Sequence, residues 1–139
     1  MTNQSDALPV LSIDGASFVD FAGFVREFSR LLPDATWNGN LDAFNDILHA
    51  GFGTPETQWV LRWLNSDASR AALGQDATVR WLEQILRTCH PSNRADVEAR
   101  LRGARRGQGQ TLFDMIVEII RDHGPRGEES ENGIILELL

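Results

Sequence analysis

The sequence predicts an α/β fold, a small three-stranded parallel sheet packed by helices, and three features predict it. Runs of apolar, aromatic or branched residues stand at Val10 to Ile13, Gln58 to Leu64 and Ile134 to Leu139, near the start, middle and end of the chain. Each run is short, the length of a strand rather than of a helix. The stretches between them repeat their apolar residues at helical spacing, and strand, helix and strand in succession make β-α-β units whose strands lie parallel.

Taken in order, Val10-Leu11-Ser12-Ile13 suits a strand covered on both faces, and Asp14-Gly15 turns the chain. Ser17, with Asp20 three residues on, has the form of a capping box. Phe18, Phe21, Phe24, Val25, Phe28, Leu31 and Leu32 then fall on one helical stripe, which reads as core and which Pro33 ends. A second helix opens at about Leu41. The loop Gly51-Phe52-Gly53-Thr54-Pro55 forbids any regular continuation, and Gln58 to Leu64 follows as the second strand, with Arg62 an edge or ion-paired residue. Asn65 or Ser66 can cap a short helix to Leu73, which Gly74 ends.

Val79, Leu82, Ile85, Leu86 and Cys89, with Trp81 beside them, make Thr78 to Cys89 an amphipathic helix. After the turn His90-Pro91-Ser92-Asn93, Asn93 and Asp96 are placed to cap a helix to about Arg102, and Gly107 to Gln110 is a flexible linker. Arg94, Arg100, Arg102, Arg105 and Arg106 make the chain's one locally basic patch. It reads either as a weak nucleic-acid signal, lacking interleaved aromatics, or as an internal counterpart to an acidic surface. Thr111 with Asp114 caps the last helix, whose broad apolar face from Leu112 to Ile120 demands deep burial and which His123-Gly124-Pro125 stops. A polar turn from Arg126 to Gly133 leads into the third strand.

At 139 residues the chain is expected to be a single domain over 1–139, with a flexible tail at 1–7. A net charge of −7 argues against a nucleic-acid binder and for solubility or a basic partner. One cysteine excludes an intramolecular disulfide. No apolar run approaches a membrane span and Met1 to Ala7 lacks the marks of a signal peptide, so a cytoplasmic protein without membrane contact is expected. All thirteen basic residues are Arg, a composition bias rather than a functional sign.

The stretch from Trp37 to His49 looks built to present acid. Asn40, after the permissive Gly39, is a good N-cap, and Asp42 suits the positive end of the helix. At about 100° per residue, Leu41, Ala43, Phe44, Ile47, Leu48 and Gly51 share one face, while Asp42, Asn45, Asp46 and His49 share the other. Asp42 and Asp46, one turn apart, repel, and no basic residue lies between Arg30 and Arg62 to offset them. A solvated helix face is the plain explanation. No nucleotide-binding glycine pattern, zinc-protease motif or C-x-x-C appears, and no cofactor is implied. Asp42, Asp46 and His49 could still serve a small metal-dependent hydrolase, though no second element offers to complete a ligand set.

Asn40-Leu41-Asp42-Ala43 followed by Asp46 resembles the N-L-D-A-x-x-D signature of the barstar family, inhibitors of barnase-type ribonucleases. The element order agrees from Val10 to about Leu73, and in outline from Thr111 to Leu139; about 75–110 would be a helical insertion that compact members lack. The resemblance implies a barstar-like fold and no enzymatic activity. It also implies an immunity or self-protection protein whose acidic helix imitates the phosphates of the substrate of a ribonuclease or related basic toxin. Carried over by motif, Asp46 would face the enzyme's basic catalytic groups and Asp42 a second cation. Asn40 would hydrogen-bond the partner's backbone, beside Asn38 and Gly39 in the same loop. Trp37 would either pack on the enzyme or form a lid over the core. Asn38 and Asn45 stand where the family commonly has a glycine and an aromatic, which points to a different cognate enzyme. His49 shares the acidic face, and Glu118 approximates a further acidic contact. An interaction module for a non-nuclease partner is the remaining reading.

Overall fold

Right-handed crossovers that keep stepping the same way along a sheet stack their helices on one side of it. The computed structural model describes residues 7–33, 37–49, 53–125, 127 and 133–139. Among them β1 (Val10–Asp14), β2 (Trp59–Leu64) and β3 (Ile134–Leu138) form a parallel sheet in the order β1-β2-β3, as expected. Val10 pairs with Val60, and Val60 in turn with Ile135. Ile13, Trp59, Leu61, Trp63 and Ile134 point into the core. The alternate residues Val10, Ser12, Arg62 and Leu64 are exposed, so the first strand is covered on one face and not, as its apolar run suggested, on both. Arg62 lies on the central strand and pairs with Glu137 of β3 at 2.9 Å, which settles it as ion-paired rather than at an edge.

Helix α1 (Phe21–Ser29) starts later than the predicted capping box. Asp20 is its cap, accepting from Gly23 N at 2.8 Å, while Ser17 belongs to a single 3-10 turn at Gly15–Ser17 and donates to the Asp14 carbonyl. The reason is Phe18, which tucks under the helix start so closely that a Cβ on Gly23 would meet its own Cβ at 2.4 Å. Phe24 is the hub of the core, with the rings of Phe18, Phe21, Phe28, Trp37, Phe44 and Trp63 around it at centroid distances of 5.3 to 6.4 Å.

After β2, Asn65 turns into α3 (Ser66–Ala72) through a left-handed conformation, φ 53°. Its side chain caps nothing; its Nδ2 donates instead to Asp14 Oδ1 at 2.9 Å. Helix α4 (Gln75–Thr88) begins three residues before the expected Thr78, and α5 (Arg94–Arg105) runs three past Arg102 without a side-chain cap from Asn93. The two make a hairpin around a small cluster of their own, Leu82, Val97, Leu101 and Ala104. Trp81 packs against both this cluster and the main core, and Leu112 N donates to Thr78 Oγ1 at 2.8 Å. Helix α6 (Leu112–Asp122) carries the predicted reciprocal cap between Thr111 and Asp114 and buries Leu112, Phe113, Ile116 and Ile120.

Most of the expected tail, residues Gly51 and Phe52, and most of the turn from Arg126 to Gly133 lie outside the described residues. Among the described residues no helix is long and apolar enough to cross a membrane.

Candidate functional site

Helix α2 (Leu41–Ile47) is short and held by its approach loop. Asn40 Oδ1 accepts from Ala43 N at 3.0 Å, so the helix opens at Leu41 as predicted. Gly39 takes φ +98°, a conformation that resists side chains, and this lets the chain fold back over Phe21 and Val25. Asn38 Oδ1 accepts from Asn40 N at 3.2 Å. Beneath the loop, Trp37 is only 3 % exposed, stacked on Phe44 at 4.8 Å, and its indole N–H donates to the Asn40 carbonyl at 2.8 Å. Of its two expected roles, Trp37 therefore has the lid over the core, and its ring is not offered to a partner.

Phe44, Ile47 and Leu48 go inward, and Asp42 and Asp46 are exposed. Neither carboxylate forms an ion pair among the described residues. The polar arc then splits. Asn45 Oδ1 lies 2.9 Å from Nε2 of His123, a fully buried ring at the end of α6, and His49 stacks edge-on against the same ring at 4.8 Å. Asn45 and His49, both half-buried, thus meet the end of α6 through the same ring. Helical angle around α2 alone could not show this, because His123 comes from 78 residues further along the chain. Among the described residues no three His, Cys, Asp or Glu side chains gather as metal ligands. Asp42, Asp46 and His49 accordingly do not form the trio that a metal-dependent hydrolase would use.

Glu118, on the exposed side of α6, accepts from Gln110 Nε2 at 2.9 Å. It borders a groove of about 900 Å³ that has Asn38 to Asp42 on one bank and the α4–α5 hairpin on the other. Sequence reasoning missed Trp81, Asp96 and Arg100 as neighbours of the acidic motif, since nothing local places the hairpin there. The arginines of α5 are not an internal counterpart to Asp42 and Asp46. Arg105 pairs with Glu83 at 2.9 Å, Arg94 donates to the Leu86 carbonyl, and Arg100 reaches Met115 Sδ at 3.2 Å with its guanidinium 5.8 Å from the Trp81 ring.

Fold and site together define a small α/β protein that presents two carboxylates to solvent from one short, firmly seated helix. The chain belongs to the barstar family: the family model described as Barstar (barnase inhibitor) matches residues 8–112. That match takes in every element from β1 to α5 and reaches the first residue of α6. Members of this family are inhibitors of barnase-type ribonucleases rather than enzymes. Neither the curated proteins nor the solved structures give a significant match.

Proposed function

We propose that this chain binds and blocks a barnase-type ribonuclease, or a related basic toxin, as a self-protection factor in the cytoplasm. The observation that carries the reading is the pair Asp42 and Asp46, exposed one turn apart with no cation of a described residue paired to either. A ribonuclease active site gathers basic groups for phosphate, and two carboxylates on a rigid helix offer those groups the charge they were built to hold. Asp46 is the principal anion and Asp42 its companion. Asn40 is already committed through its side chain to capping, and with Asn38 and Gly39 it forms the exposed or half-exposed rim beside them.

The test is titration of the purified protein into a barnase-type ribonuclease while RNA hydrolysis is followed. Wild type should reach stoichiometric inhibition, and Asp46→Ala should weaken it by upwards of about 2 kcal/mol, the scale of a desolvated charged hot spot. Equal inhibition by the two proteins rejects charge mimicry.

A further inference from the structure

We infer that the groove between the α2 approach loop and the α4–α5 hairpin is a second contact site for the same ribonuclease, one that receives an Arg or Lys side chain from it. This rests on the reading above. Asn38, Gly39, Asn40, Asp42 and Glu118 all line the groove, so an enzyme seated on Asp42 necessarily covers its mouth. The two surfaces are continuous.

The lining selects the occupant. Trp81, Ile85 and Met115 give an apolar, partly aromatic bed, and Asp42, Asp96 and Glu118 place three carboxylates around it. Among the described residues one cation shares the space, Arg100, and its guanidinium is held toward the Met115 sulfur and the Trp81 face. None of the three carboxylates has an ion pair among the described residues. The groove therefore stays acidic over an apolar bed. A side chain with an aliphatic stem and a charged head matches both parts, laying its stem along the bed and its head among the carboxylates. Neutral or acidic segments match only one part or neither. This second bank makes the choice of enzyme depend on residues outside the N-L-D-A-x-x-D motif.

Trp81 supplies the readout, because it is half-buried whereas Trp37, Trp59 and Trp63 are at most 3 % exposed. The protein is labelled with 5-fluorotryptophan, its Trp81 signal is assigned with Trp81→Phe, and an unlabelled barnase-type ribonuclease is added. The Trp81 fluorine resonance should shift on binding while the three buried ones hold. In parallel, Thr88→Arg puts a cation into the groove from an exposed position at the C-terminal end of α4, where the helix dipole favours it. This variant should bind about tenfold or more weakly, as like charge meets like, with its buried fluorine signals unchanged. If Asp46→Ala weakens binding while either the Trp81 signal stays put or Thr88→Arg binds as wild type, the groove assignment is wrong and the acidic helix stands alone. Absence of binding by wild type removes the inhibitor reading, and the groove assignment with it.

Discussion

Asp46 sits in the last turn of α2, where the helix dipole disfavours an anion, and one turn from the like charge of Asp42. Both local terms oppose it, so its presence is a cost to the fold. Asp46→Ala should therefore raise stability by roughly 0.3 to 1 kcal/mol in urea unfolding, while it weakens inhibition. Lower stability would mean that the carboxylate holds structure. At this scale the motif was readable in the chain because capping and charge spacing are local properties. Asn40 caps where its position said it would, and Asp42 and Asp46 face water. The contacts of Asn45 and His49 with His123 were not legible, because the sequence marks His123 only as the end of a helix.

Among the elements, α1 and β1 are joined by a latch at Glu27. Its carboxylate pairs with Arg30 at 2.6 Å and accepts from Asp14 N at 2.8 Å, and Arg30 reaches the Ser12 carbonyl at 3.4 Å. The Arg30 hydrogen bond, more than the Asp14 amide, holds the Glu27 carboxyl below its ordinary range despite partial burial. A carboxylate with a depressed folded pKa stabilises above its unfolded pKa and loses that contribution as the pH falls through the folded value. Glu27→Gln should thus cost about 1 kcal/mol at neutral pH. The gap to wild type should close below about pH 4, as read from urea midpoints at several pH values. A gap that persists into acid would show that Glu27 acts by packing instead. Element types were legible throughout, since apolar spacing reports them directly. Cap residues were legible only where no distant group competes. Thr111 caps α6 as read, whereas the Asn65 side chain is turned to Asp14, 51 residues away in sequence, and α3 has no side-chain cap.

The molecule as a whole carries −7 charges, and part of that excess lies on α2 and around the groove. Such a field steers a basic partner, so its association rate in stopped flow should fall about tenfold or more as salt rises from low to several tenths molar. A rate indifferent to salt would mean that the charges act only after contact. The parallel sheet was foreseeable from three apolar runs, but its bare side was not, because strand order and crossover direction leave no local trace. That asymmetry gives the protein a front and a back. Ser12 and Arg62 look out from the back, across the sheet from the layer that carries α2. The back is thus the natural place to tether or label this protein: with Cys89 replaced, a thiol at Ser12 would anchor it to a sensor while its acidic front stays free.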